Sequence, residues 1–348
     1  MKRTLSMLCV ILVAMLVTAC GGGGGGGGSS SPAAAGFSQT YTTSATAGEL
    51  MTYSIDTSAL TYSFTITKSS YGCEVSNAPC HSGSGTLTKN SDGTYTPSGS
   101  PSSKIHALQN GLLVGSVTMA FNGVSQTVPI VGVSNPITTA ADLAGTFNFM
   151  SLQCAAKSYG LFTGCATYQG SATLGANGTF TTCSGDNISA NVHTCTNTVS
   201  GTMTSLGGGI WQFQGTSPTL GATTNYLLAF SAPNGQKVAI LDFNDATVFG
   251  YGQAILSTQV NTAASDLAGN YLWANDYGSS GVVTLNSNDT TSSGLTIAEN
   301  SPWSGLATVT GGGSGTGYGM IAGNGVYVYR NPNIVGRAAY LELGLKIQ

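Results

Sequence analysis

Charge is what this chain of 348 residues has least of: Asp, Glu, Lys and Arg together make up 7% of it, against roughly 25% in ordinary soluble domains. Histidine is nearly absent as well, with 3 residues at positions 81, 106 and 193. So few ionisable groups leave little from which to assemble acid–base chemistry. No HExxH zinc helix, GxSxG nucleophile elbow or Walker phosphate loop is present. The carboxylates are sparse and scattered, where a hydrolase needs a close pair or a nucleophile beside its base. Missing too is the basic footprint of a nucleic-acid binder. The longest apolar run, Met7 to Val17, falls short of the about 20 residues of a membrane-spanning helix. Helical periodicity is hard to find beyond it. These absences lead to the expectation of a non-enzymatic protein with no catalytic residues, no metal, no cofactor and no nucleic-acid partner.

What is present begins with an address. Lys2 and Arg3 precede the apolar run, which ends in the small residues Thr18 and Ala19, the layout of a signal peptide over residues 1–19. Val17, Thr18, Ala19 and Cys20 resemble the lipobox of bacterial lipoproteins, with Val17 where that family usually has Leu. The resemblance covers only about the first twenty residues. It implies cleavage before Cys20 and acylation of that cysteine, palmitate included. Gly21, where an Asp would favour retention at the inner membrane, implies an outer-membrane location, with the surface and periplasmic sides both open. One acyl chain holds only marginally, whereas the roughly three of this family anchor firmly. From Gly21 to Gly36 the chain is Gly, Ser and Ala with one Pro, too poor in apolar residues to build a core. Residues 20–36 thus read as a lipidated cysteine and a flexible tether, about 20 Å between its ends on average.

Past the leader the balance turns acidic. The leader holds two of the 10 basic residues and none of the 13 acidic ones, leaving 8 against 13. Of the 8 cysteines, Cys9 leaves with the leader and Cys20 takes lipid. The remaining Cys73, Cys80, Cys154, Cys165, Cys183 and Cys195 fall into three close pairs, and in an oxidising envelope they are disulfide candidates, neighbour with neighbour. Cys80 with His81 and His193 with Cys195 have the ligand types of zinc, but neither spacing matches a zinc ribbon, so disulfides are the preferred reading.

Internal repetition is the most informative feature of the rest. Asp142, Leu143, Ala144 and Gly145 recur as Asp266, Leu267, Ala268 and Gly269, each followed by alternating aromatics: Phe147 and Phe149, then Tyr271 and Trp273. Leu60, Phe64 and Ile66 share the spacing without the Asp and Gly. Three segments starting at Gly85, Ser171 and Gly281 each read as strand, tight turn, strand, with Asp92-Gly93 and Asn177-Gly178 as favoured turns. A second hairpin centres on Asn110-Gly111, Asn234-Gly235 and Asn324-Gly325, and the runs LLVGSV, KVAILDF and VYVYR follow as strands. Short runs such as Thr138 to Leu143 fit a helical turn before a strand. The expectation is all-β, with tandem small antiparallel modules of meander-like hairpins at 37–136, 138–260 and 262–348. Sandwich and barrel stay open, because closure depends on strand number and shear.

Candidate sites are few. Trp211 with Phe213, and Tyr327 with Tyr329, each share a strand face and form candidate ligand platforms, although core packing is the commoner fate of such stripes. Asp242, Asn244 and Asp245 read as a solvated turn, short of the oxygen ligands of a calcium loop. The glycine-rich Gly311 to Gly319 lacks the Lys of a phosphate loop and reads as a flexible loop. The leading functional expectation is a lipoprotein that displays β modules for adhesion or contact with a cell-surface or envelope partner. The alternative is a small-ligand or glycan binding protein with a β-barrel module. A barrel binder needs a lined cavity with convergent polar groups, and an adhesin needs filled cores and an exposed surface.

Overall fold

Local turn chemistry sets the strand order. In residues 90–94, 175–179 and 291–295 the N–H of the first residue bonds the carbonyl of the fifth, and the N–H of the fourth bonds the carbonyl of the first. The fourth residue is Gly93, Gly178 or Gly294, at φ of +81°, +77° and +78°, a left-handed conformation that glycine adopts without a Cβ clash. Side-chain oxygens brace these turns, as when the Thr94 N–H donates to Asp92 at 3.0 Å and the Thr179 hydroxyl to Asn177 at 2.7 Å. Residues 286–290 close the same outer bond with Asp289 in place of glycine, at φ of +60°.

In the computed structural model the described residues are 36–69, 82–109, 111–121, 124–154, 165–183, 190–217, 221–232, 234–245, 250–275, 279–311, 315–322, 325–332 and 340–347. Cys20, Cys73, Cys80, His81, Asn110 and Asn324 lie outside them, and with them the lipobox and the first cysteine pair.

The first eight strands are β1 (Ser38–Ala45), β2 (Glu49–Asp56), β3 (Thr61–Ser69), β4 (Ser82–Lys89), β5 (Tyr95–Pro97), β6 (Ile105–Ala107), β7 (Leu112–Phe121) and β8 (Val124–Val133). They form an antiparallel closed barrel in chain order, sealed by β8 on β1. After a short helix, α1 (Ala140–Leu143), come β9 (Gly145–Cys154), β10 (Ala166–Leu174), β11 (Thr179–Cys183), β12 (Thr198–Gly207), β13 (Ile210–Ser217), β14 (Gly221–Ser231), β15 (Lys237–Asp245) and β16 (Gly250–Thr258). These make a second closed barrel, sealed by β16 on β9. A second helix, α2 (Ala264–Leu267), leads to β17 (Gly269–Asn275), β18 (Ser280–Leu285), β19 (Thr296–Glu299), β20 (Leu306–Thr310), β21 (Gly317–Ala322), β22 (Val326–Arg330) and β23 (Leu341–Ile347). Here the order is β18-β17-β23-β22-β21-β20-β19, a seven-stranded sheet. The all-β tandem modules are therefore barrels, two closed and one open.

The repeated Asp-Leu-Ala-Gly segment has a physical job. Asp142 sits in α1, where its N–H donates to the N-cap Thr139 hydroxyl at 3.1 Å and its carboxylate accepts from that hydroxyl, which satisfies groups the helix leaves unpaired. Asp266 accepts from the Ala263 N–H at 3.1 Å in the same role before β17. Leu143 and Leu267 are buried in the clusters of the second and third modules. Each alanine carbonyl takes a lysine: Lys237 on Ala144 at 2.7 Å and Lys346 on Ala268 at 2.6 Å, a cation at the negative end of the helical turn.

The first module departs from that pattern. Leu60 ends the turn before the third strand, β3, and Phe64 and Ile66 lie within that strand, not the first, and the hairpin at residues 90–94 joins the fourth and fifth strands. Its counterpart in the second barrel, residues 175–179, joins the second and third. The sequence similarity there reflects a shared hairpin type, not a shared position.

Barrel exteriors are also apolar where modules meet. One hydrophobic cluster includes Ala45 and Val114 of the first barrel, Leu228 and Ile240 of the second, and Val328 and Leu343 of the third sheet. Strand β7 packs on β17 and β23 as well as on β8, so Leu112 to Val114 are buried without alternation. A strand covered on both faces reads as a continuous apolar run, which accounts for LLVGSV, KVAILDF and VYVYR.

Candidate ligand cavity

Strand for strand, the third sheet follows the second barrel with one loss. Where β11 bridges β10 to β12, the third sheet has only residues 290–291, tied by isolated bridges from Leu285 to Thr291 and from Thr290 to Thr296. With that strand shrunk to two residues, β18 and β19 do not pair and the barrel stays open. Its inner face lines a cavity of about 550 Å³ that is open to solvent on one side, within the 300–1,000 Å³ typical of small-molecule pockets.

Period-two geometry sorts the lining. Trp273, Val283, Leu285, Ile297, Val309, Tyr327 and Tyr329 line the cavity, while Leu341, Leu343 and Leu345, alternating with Glu342 and Gly344 along β23, pack into the shared core. Room for the large rings comes from glycine. Gly344 pairs with Trp273 on one side and Tyr327 on the other, and a Cβ there would run into the Tyr327 ring. Gly281, opposite Trp273, is covered by the indole, and a Cβ would lie 2.8 Å from it.

Polar groups converge at one end. Glu342 of β23 lines the cavity and accepts one hydrogen bond on each carboxyl oxygen, from the Tyr327 hydroxyl on Oε1 and the Tyr340 hydroxyl on Oε2. Asn275 Nδ2 donates to the Tyr340 hydroxyl at 3.4 Å, and Asn331 Nδ2 donates to Tyr329 at 3.0 Å. Removal from water raises the Glu342 pKa, and the two phenol donors oppose that rise. Burial likewise pushes Tyr327 well above the ordinary phenol value, reinforced by the neighbouring carboxylate. Among the described residues, the lining contains no lysine or arginine.

The two aromatic pairs read from sequence part company here. Tyr327 and Tyr329 line the cavity. Trp211 and Phe213 lie buried in the second barrel, the indole N–H donating to the Ile137 carbonyl at 3.1 Å and the Phe213 ring stacked on Phe180 at 3.7 Å. Cysteines pair as neighbours in this module: Cys154 with Cys165 and Cys183 with Cys195 are disulfide-bonded. That takes Cys195 out of any thiolate set with the exposed His193.

Two local readings need correction. Asp242 lies not in a solvated turn but in β15, fully buried on the outer face of the second barrel. Its β16 neighbour Gln253 reaches Ser44 of the first barrel at 2.8 Å. Burial pushes the Asp242 carboxyl up to about 7, against the opposing influence of Ser44. Side chains of Asn244 and Asp245 lie outside the described residues. Gly317 to Gly319 are not loop but the start of β21, where Gly317 makes way for the Tyr329 ring.

Sequence reading missed Glu342 and Tyr340. In LELGLKI the glutamate alternates with leucines, the pattern of a solvent-facing position, and nothing local says that the polar face turns inward.

No protein-family model matches the chain, and no curated protein matches it. A solved structure from Nostoc punctiforme, a protein of unknown function from the DUF3598 family, aligns over 88% of this chain and 92% of its own, at 9% identity and a TM-score of 0.16. At that score the likeness carries no argument about fold or function.

Proposed function

We propose that this protein is an exported, lipid-anchored binding protein whose open third module takes up a small, largely apolar ligand without chemical conversion. The observation that carries the reading is the cavity of about 550 Å³ with aromatic and aliphatic walls and one cluster of converging polar groups. Such walls favour an apolar body through the area removed from water, and a few placed polar groups fix its orientation. The two closed barrels have the complementary role of a scaffold, since apolar side chains on the outer face of the second barrel pack against the first barrel and the back of the third sheet. Export is supported by the lipobox-like Val17 to Cys20 and by the two disulfides, which persist in oxidising compartments. In this reading Cys20 holds the chain at the outer membrane and the tether lets the modules reach a donor or acceptor of the ligand.

The test is calorimetric titration of decanol into the full chain in its Cys20→Ala form, so that no attached acyl chain competes, beside the same chain carrying Val309→Trp to fill the cavity. Saturable binding lost on filling supports the reading. Absence of binding, or binding indifferent to Val309→Trp, overturns it and returns adhesion or envelope contact to first place.

A further inference from the structure

Deepening that reading and resting on it, we propose that the ligand of the third module is an extended peptide segment, which adds to β18 as an antiparallel strand and lowers alternate apolar side chains into the cavity. The second barrel supplies the template. Gly145 pairs with Leu174 as Gly269 does with Leu285, and Leu174 faces Phe180 of β11 as Leu285 faces Thr291. Past Phe180, β11 continues with Thr182 against Ala172, whereas the third module turns away at residues 291–295. Ala172 corresponds to Val283, so the course of the lost strand passes Val283, Val282 and Gly281. A packed ring is lost with it. Phe180 stacks on Phe213 at 3.7 Å in the closed barrel. Thr290 pairs with Thr296 as Thr179 does with Thr202, and Ile297 with Val309 as Met203 does with Phe213. Thr291 and Val309 thus stand where the two phenylalanines stack, and both line the cavity.

The outer edge of β18 fits such a strand. Thr284 turns its backbone to that edge, accepting from the Ser292 N–H at 2.8 Å and donating its own N–H to the Ser292 hydroxyl at 3.1 Å. Strand geometry repeats every second residue, so Val282 and Ser280 present N–H and C=O along the same edge. Val282 is 47% exposed, which marks this stretch as open to solvent. It ends where the Ser280 hydroxyl reaches the Ser102 carbonyl of the first barrel at 3.4 Å. An added strand exchanges backbone hydrogen bonds with Val282. Its residues opposite Val283 and Gly281 share their face, the one from which Val283, Leu285 and Trp273 line the cavity. The residue between them points to solvent and suits Thr or Ser. Backbone pairing supplies affinity and the cavity selects the side chains, as in other cases of strand addition.

The probe is the peptide acetyl-Thr-Val-Thr-Phe-Thr-amide, titrated calorimetrically into the full Cys20→Ala chain with and without decanol. A second peptide is N-methylated at the central threonine, the residue set against Val282. Methylation keeps every side chain and removes one backbone donor. The expected results are saturable peptide binding that decanol displaces, about 10-fold weaker binding of the methylated peptide, and a similar loss in Val282→Pro. Val282→Pro removes only the edge N–H, a position that tolerates proline, and unchanged decanol binding shows that the variant is folded. Decanol binding without peptide binding, equal binding of the methylated peptide, full peptide affinity in Val282→Pro, or peptide binding that decanol does not displace overturns strand addition. The cavity reading stands or falls by decanol binding alone, so binding of neither probe overturns both.

Discussion

Replacing Asp242 by Asn should change how the protein's stability depends on pH. The carboxyl is fully buried where the second barrel meets the first, beside Ser44 and Gln253. Burial raises its pKa from 3.8 to about 7. Well below pH 3.8 the group is protonated in both folded and unfolded chains and costs nothing. Between pH 4 and 7 the unfolded chain releases the proton and the folded chain keeps it, so stability falls as pH rises, and above the folded pKa the loss is constant. A shift from 3.8 to about 7 corresponds to about 4 kcal/mol at roughly 1.4 kcal/mol per unit. Asn keeps the shape but does not ionise. The cost of burying its amide is the same at every pH and drops out of the comparison. Urea unfolding of both chains at pH 4 and pH 8, followed by fluorescence, should show wild type losing about 4 kcal/mol more than Asp242→Asn across that interval. A difference below about 1 kcal/mol would refute the placement of an isolated acid in this interface.

Other perturbations address the remaining parts of the structure. Gly344→Ala should push the Tyr327 ring from its place beside Glu342, lowering stability by about 1–3 kcal/mol in thermal unfolding and weakening decanol binding in calorimetry. Converting both Cys154 and Cys165 to Ser removes a crosslink with a sequence separation of 11 and should cost about 2–3 kcal/mol in urea unfolding under oxidising conditions. Cys20→Ala should release the protein from membranes into the soluble fraction on cell fractionation; unchanged partition would count against the lipid anchor.

Much of the architecture is legible locally. The turns at residues 90–94 and 175–179 need a left-handed residue, and Gly93 and Gly178 announce it. The recurring Asp-Leu-Ala-Gly marks the start of two modules because capping, plugging and turning into a strand each demand a residue type. Barrel closure is not legible, since it depends on β8 finding β1 and β16 finding β9 across a hundred residues of chain. Nor is the cavity. It arises from a strand that shrank to residues 290–291, a loss that looks in sequence like an ordinary Ser- and Thr-rich hairpin. Tyr327 and Tyr329 were visible as a shared face, but so were Trp211 and Phe213, and only the open or closed state of the surrounding sheet separates lining from core. Asp242 misleads for the same reason. A polar residue near a strand end reads as solvated until a second barrel covers it.

The most direct test of the central claim is to locate a bound apolar molecule. A decanol analogue carrying a diazirine would be photolysed with the full Cys20→Ala chain, with and without excess decanol, and the adducts mapped by mass spectrometry. The expected result is decanol-competed labelling confined to the cavity lining, at residues such as Trp273, Ile297, Tyr327, Tyr329 and Tyr340. Labelling spread over the first two barrels, or labelling that decanol does not displace, would contradict the assignment of the third module as the binding site.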